Sequence, residues 1–253
     1  MGRLLLAALW LGSCLSAADS PQEQGRRFYM LGDYKKATHA FQAAVAAQPA
    51  ESDHYLWLGR AFGRRAEQSS PFTAPVHAGK ARQNFEKAVE LNPRNIEALN
   101  DLFEYYLEAP GFLGGGVDKA ALLAPKIAGL DPVEGHYALY KLAEKKGDLA
   151  TAERELRRAA AMAPEQPGRA IDLARFLAKQ GRYAESEQFF HSAEKASPDQ
   201  PKVLFERADT YIRGRRNLDV ARELLKRYLA AELSPDDPPR HEAEKLLRQV
   251  SRS

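Results

Sequence analysis

Three stretches of this chain align with one another without a gap: "GDYKKATHAFQAAVAAQP" (Gly32 to Pro49), "GDLATAERELRRAAAMAP" (Gly147 to Pro164) and "GRYAESEQFFHSAEKASP" (Gly181 to Pro198). Three more match them in their second halves: "AGKARQNFEKAVELNP" (Ala78 to Pro93), "VDKAALLAPKIAGLDP" (Val117 to Pro132) and "LDVARELLKRYLAAELSP" (Leu218 to Pro235). Gly147 and Gly181 stand 34 residues apart, as do Gly25 and Gly59. A fixed period of this size restricts the fold more than composition does, because each repeat can bury its apolar face only by stacking on the next. Within each half, apolar residues recur at the helical spacing i, i+3, i+4 and i+7, and no segment sustains the period-two alternation of a strand. Each small Ala or Gly lets two helices approach closely, and the closing Pro ends a unit because it cannot continue a helix. The pattern predicts an all-α chain of six helix pairs.

The second unit places Tyr55, Leu58, Gly59 and Phe62 in its first helix and Ala81, Phe85, Ala88 and Pro93 in its second. The fifth follows with Ala170, Leu173, Ala174 and Leu177, then Ser186, Phe190, Ala193 and Pro198. This landmark order resembles the tetratricopeptide repeat family. The fourth unit departs from it with His136 and Tyr140 at the first two landmarks, and the sixth with Tyr228 in place of the last Ala. The resemblance implies a right-handed α-solenoid, here over residues 22–235, acting as a non-catalytic scaffold that binds a protein or peptide. Residues 236–253 read as a capping helix and tail: Asp237, Pro238 and Pro239 supply helix-start chemistry, and Leu246, Leu247 and Val250 share one side. A cap is needed because an end repeat otherwise exposes its core.

With the landmark stripe buried, each first helix turns another face to the concave groove in which the family usually binds peptides. Those positions are Arg26 and Tyr29; Leu56, Arg60 and Arg64; Asn100, Glu104 and Glu108; Tyr137, Lys141 and Lys145; Arg175 and Lys179; Phe205, Asp209 and Arg213. The mixture is basic with interspersed aromatics, which suits an extended peptide carrying acidic residues; a merely solvated face is the equal alternative. Arg26 and Arg60 stand where some relatives place the Asn of a clamp for a C-terminal carboxylate, so that clamp is not expected.

Two units are expanded between their helices. Gly59 and Ala81 are 22 residues apart where the repeat expects 12, so a loop is expected near 64–79; a shorter insertion falls near 109–117. Equivalent turns of neighbouring repeats share an edge, so the two insertions should be neighbours. Phe72 and Val76 in one, with Phe112 and Leu113 in the other, either pack on each other or form a partner-binding edge. The second insertion, "EAPGFLGGGVDKA", raises the alternative of an enzyme or enzyme subunit with a ligand site at the Gly-rich 111–118 loop. A phosphate-binding loop, however, needs Lys and Ser or Thr after its last Gly, where this chain has Val117 and Asp118. Asp118 reads instead as the N-cap of the following helix. The segments "LGRAFGRRAE" and "APGFLGGGVDKA" together are similar to bacterial exported tetratricopeptide proteins of no assigned reaction.

The first residues differ in kind: Arg3, then "LLLAALWL", then small residues to Ala18. A basic start, a short apolar run and a small-residue end make an export signal, too short to span a bilayer that needs about 20 residues. Cleavage after Ala18 releases a chain starting at Asp19, whereas "LGSC" resembles a bacterial lipobox that would leave residues 1–13 as the signal and Cys14 as a lipidated first residue. Either implies the bacterial periplasm, membrane-attached in the second case. Cys14 is the single cysteine, so the rest has no disulfide, thiolate metal site or cysteine nucleophile. The formal charge is +3, one unit of it from Arg3, too small and too evenly spread along the sequence to point to nucleic acid. The histidines form no metal-binding spacing, no nucleophile has a base at motif distance, and no cofactor is expected. His136 reads as a packed, hydrogen-bonded residue, and Glu153 and Glu155 as surface ion-pair partners of arginines such as Arg157.

Overall fold

The computed structural model describes residues 19–234 and 237–251. The expected leader, Cys14 and the closing Pro235 of the sixth unit lie outside the described residues.

Among the described residues there are thirteen α-helices and no strand. Twelve form six pairs: α1 (Pro21–Met30) with α2 (Tyr34–Ala47), α3 (Ser52–Glu67) with α4 (Ala74–Leu91), and α5 (Ile96–Glu108) with α6 (Val117–Leu130). They continue with α7 (Pro132–Lys145) and α8 (Leu149–Met162), α9 (Pro167–Lys179) and α10 (Tyr183–Ala196), and α11 (Pro201–Arg213) and α12 (Leu218–Ala230). The last helix is α13 (Arg240–Val250). Helices adjacent in sequence pack together, and α1 also touches α3, α3 touches α5, α5 touches α7 and α9 touches α11. The first helices of the pairs therefore stack along one face of an α-solenoid.

The recurring glycine before each second helix has a local cause. Gly32, Gly147 and Gly181 have φ of 73°, 77° and 74°, a left-handed conformation that a Cβ would strain. The next residue opens the second helix: the Asp33 and Asp148 side chains accept hydrogen bonds from the N–H groups of Lys36 and Thr151. Within a pair, a small residue under an aromatic ring sets the approach. A Cβ on Gly25 would lie 2.4 Å from the ring of Phe41, and one on Gly59 would lie 2.6 Å from that of Phe85. Both rings are buried, so neither can retreat without opening a void.

The residues added to the second unit do not form the expected long loop. α3 continues to Glu67 and α4 begins at Ala74, so only residues 68–73 make the turn. Pro75 sits in the first turn of α4, where its missing N–H leaves no helical bond unmade. The third unit keeps its insertion as a turn with one 3-10 segment, Gly111–Leu113. α13 caps the solenoid as expected, burying Ala243 and Val250 in a cluster with Leu224, Leu225 and Tyr228, with Leu246 and Leu247 half-buried beside them.

Gly59→Ala should lower the unfolding free energy in urea by about 1–3 kcal/mol through overpacking against Phe85, although alanine is the better helix former. In a Phe85→Leu background the same substitution should cost less, because the ring edge it strikes is gone.

Candidate peptide-binding channel

The inner face of the first helices is a ladder of ion pairs. Arg60 Nε donates to Asp101 at 2.6 Å and its Nη2 lies 3.0 Å from Glu97. Asn100 donates to Glu134 at 2.9 Å, and Glu134 accepts from Arg169 at 2.6 Å. Lys141 meets Glu104 at 3.2 Å, Lys145 meets Glu108 at 2.9 Å and Lys179 meets Glu144 at 3.2 Å. Arg175 and Glu206 pair at 3.2 Å, and Arg213 and Asp209 at 2.5 Å. The expected basic lining is therefore corrected: carboxylates on the same or the adjacent first helix match most of its cations. Burial pushes the Glu104 and Glu206 carboxyls up, opposed by Lys141 and Arg175 respectively, so both sit in a low-dielectric wall.

One groove candidate, Leu56, belongs to the core instead. Phe205 is buried with its ring 5.2 Å from that of Tyr228, and still lines the cavity beside Arg64. Sequence spacing had not singled out Trp57, which is buried in the core yet reaches the wall of the inner face. Its ring lies between the guanidinium carbons of Arg26, at 4.5 Å, and Arg60, at 4.8 Å, with Tyr29 edge-on at 5.6 Å. Burial raises the Tyr29 phenol far above its ordinary range. Tyr137 is similarly covered, by the Arg169 guanidinium at 3.6 Å, a stacking arrangement that favours arginine.

The C-terminal segment closes this face. Arg64 donates to the Tyr34 hydroxyl at 3.2 Å, pairs with Glu67 at 2.8 Å and also pairs with Glu242 of α13. The His241 ring lies against Gly32 in the first turn. Tyr29, Trp57, Arg60 and Arg64 from the first units thus face Lys202 and Glu206 of α11 and Asp237–Pro239 across a cavity of about 460 Å³. A second cavity of about 580 Å³, walled by Arg175, Asp209, Arg213 and the inner side of α13, adjoins Arg64. The groove becomes a channel whose two ends are brought together by the cap.

The glycine corner is no anion cradle. The N–H groups of Gly114, Gly115 and Gly116 donate to the carbonyls of Gly111, Pro110 and Tyr106, leaving none of the three to converge on a phosphate, and Asp118 in the first turn of α6 would repel one. A Cβ on Gly115 would stand 1.8 Å from the Ala109 carbonyl oxygen, so glycine serves the tight path itself. Gly116 is the N-cap of α6, and Asp118 sits inside its first turn, contrary to the expected capping role; there it complements the helix dipole. The second insertion lies against α4: a Cβ on Gly114 would stand 2.8 Å from the Arg82 side chain, and Arg82 pairs with Glu86, which accepts from Tyr106 at 2.8 Å. Burial and this carboxylate push the Tyr106 phenol up to about 12. Yet Phe72 and Phe112 are 91% and 82% exposed, so these rings do not pack on one another. Val76 is exposed, and Leu113 is half-buried with its carbonyl accepting from Tyr105.

Two models of the tetratricopeptide repeat match the sequence, over residues 23–66 and 143–204. The chain is a tetratricopeptide-repeat protein. Its fold is similar to that of a thermophilic tetratricopeptide protein of Thermus thermophilus, with 20% identity and a TM-score of 0.58 over 76% of this chain and 97% of the other. A tetratricopeptide repeat protein of Parabacteroides merdae is 15% identical, with a TM-score of 0.53 over 91% of this chain and 97% of that one. PilW, a type IV pilus biogenesis factor, is 18% identical, with a TM-score of 0.50 over 91% of this chain and 96% of its own. No curated protein matches the sequence.

The tetratricopeptide frame also explains His136. At its landmark its Nδ1 lies 2.9 Å from Glu155, which is buried and also takes Arg154 at 3.0 Å and Arg158 at 3.3 Å. Glu155 is thus a buried hub where a surface ion pair was expected, whereas Glu153 does pair with Arg157 and Arg182. Burial pushes the Glu155 carboxyl up, but the hydrogen bonds from His136 and Arg154 outweigh it and hold it below the ordinary 4.5. A carboxyl depressed in the folded state stabilises above its unfolded value, and that contribution disappears as pH falls through the folded value. Glu155→Gln should therefore lower stability at pH 7 and flatten the loss of stability below pH 4.5, read as urea midpoints across a pH series. Glu242→Ala should leave the helical spectrum unchanged and speed hydrogen exchange in both α13 and the α1–α2 turn, because it removes the contact joining the two ends.

Proposed function

We propose that the protein is a non-catalytic scaffold of the cell envelope that holds an extended peptide or protein segment along the inner face of its first helices. One observation carries this function: the guanidinium groups of Arg26 and Arg60, both held over the buried Trp57 ring at the wall of the channel. Arg26, on Trp57, makes no ion pair among the described residues, and Lys202, in the cavity wall, acts on Glu206 through its field without an ion pair. Most of the remaining face is charge-balanced, so a fitting segment places one or two acidic residues there rather than a long acidic run. Guanidinium surface held over a buried ring, beside a cation without a direct carboxylate contact, is what such a segment can desolvate with gain. The envelope location rests on the export-type leader, which would deliver a chain beginning at Asp19 or at a lipidated Cys14; mass measurement of the mature N-terminus in a bacterial host distinguishes the two.

The test is photo-cross-linking in cells from a residue placed on the inner face beside Lys202, against one on the outer face of α8. Inner-face cross-links should form to a defined partner, and the combined Arg26→Glu and Lys202→Glu substitutions should weaken binding of that partner at least tenfold, about 1.4 kcal/mol, with no change in the urea midpoint. Capture unaffected by the double substitution would refute the channel as the binding site.

A further inference from the structure

Each helix reverses the direction of the one before, so the turns within pairs all lie at one rim of the solenoid and the turns between pairs at the other. The charge that looks evenly spread along the sequence is sorted between these rims. The between-pair turns carry Glu51, Asp131, Glu165, Asp199, Glu232 and Asp237, with Arg94 as their one cation. In the within-pair turns the only carboxylates, Asp33 and Asp148, cap helices. On that rim or within two turns of it, Lys35, Arg65, Lys80, Lys146, Arg215 and Arg216 make no ion pair among the described residues. Of the carboxylates at the same depth, Glu67, Glu108, Glu144, Glu185, Asp209 and Asp219 are paired with other cations and Asp118 is not, so the unpaired groups leave this rim positive.

The same rim carries the two most exposed large apolar side chains among the described residues, Phe72 at 91% and Phe112 at 82%, and also Leu31 at 72%, each in a different within-pair turn; Leu122, at 73%, lies within α6. Phe72 reaches farthest. α3 runs eight residues past Gly59 where α1 runs five past Gly25, which carries the 68–73 turn about 4.5 Å farther out at 1.5 Å per helical residue. Its flanking residues, Ser69, Ser70, Pro71 and Thr73, are uncharged.

We propose that this rim docks on the surface of an anionic phospholipid membrane, with Phe72 and Phe112 entering the headgroup layer and the unpaired cations meeting lipid phosphates. Isolated apolar tips on one edge have no hollow into which a folded partner could fit, whereas a lipid surface conforms around each tip. Cations beside them add electrostatic attraction to anionic lipid. A nucleic-acid duplex would use the arginines and leave the protruding rings in water, and a single strand stacks on rings set along one groove, whereas Phe72 and Phe112 project from separate turns. Among the described residues no helix is long and apolar enough to cross a membrane, and the contact proposed is of the surface kind. It is independent of the peptide channel, which opens on the inner face.

The test uses the full chain with vesicles of phosphatidylcholine, alone or with phosphatidylglycerol. To separate rim contact from any binding through the N-terminal apolar run, an environment-sensitive fluorophore is placed by Phe72→Cys, or at the opposite rim by Glu165→Cys, each in a Cys14→Ser background. The label at 72 should shift to the blue on anionic vesicles only, and the label at 165 should not. Arg215→Glu with Arg216→Glu should weaken the response about tenfold or more, and added salt should weaken it further. Phe72→Ser with Phe112→Ser should weaken sedimentation with anionic vesicles while the circular dichroism spectrum stays unchanged. No shift at 72, equal shifts at both rims, or a response indifferent to lipid charge would overturn the proposal. So would rim-dependent retention on single-stranded RNA without any vesicle response, which would assign the cations to nucleic acid.

Discussion

The first two helix pairs depend on an aromatic ring seated on a residue too small to push it away. Where Phe41 lies on Gly25 and Phe85 on Gly59, a single methyl group would collide with the ring. That closeness is what lets a unit of two short helices bury a continuous face. It also fixes the direction in which the other residues of the first helix point, and so puts Arg26, Arg60 and Arg64 on the inner face. The stack of first helices, the channel and the two rims all follow from this repeated contact.

Stacking brings the inner faces of successive first helices within reach of each other's long side chains, and the consequence is electrostatic. Arg60 finds Asp101, Lys141 finds Glu104 and Lys179 finds Glu144 across the gap between neighbouring helices. A face lined by partly buried charges of one sign would be costly to desolvate, and pairing removes that cost. What remains chemically unsatisfied is local: Arg26 over Trp57, and Lys202 opposite. At the outer rims such pairing is sparser, because turns of successive units are farther apart than helix flanks and are open to water. The inner face is therefore largely balanced while the rims keep opposite signs, although the formal charge of the whole chain is only +3.

Much of the fold was legible before any coordinates. The 34-residue period, the small landmarks and the closing prolines marked six pairs and a cap, and the Gly-Asp pairs at Gly32 and Gly147 located the turns to the residue. The channel was less legible. Arg60, Lys141 and Arg175 lie in the ion-pair ladder of the inner face, whereas Leu56, expected there by periodicity, is fully buried, and Phe205 is buried but still lines the cavity beside Arg64. A shift of about 100° per residue exchanges lining for core, and sequence spacing resolves the stripe more coarsely than that. The run Glu97, Asp101, Glu104 and Glu108 at helical spacing on α5 was a visible sign that the basic positions facing it would be neutralised.

The sequence by itself determined the helices, their pairing and the order of the repeats, because those rest on local periodicity and on contacts between neighbours along the chain. Only the tertiary structure decided that the last helix returns to the first units, joining Glu242 to Arg64 across 178 residues and walling the groove at its ends. Superhelical curvature is the sum of small rotations at every interface, so where the end of the chain arrives is a property of all the packed pairs together and of no single motif. The rims have the same origin: charges scattered along the sequence become two opposed surfaces only when every second turn is folded to the same side.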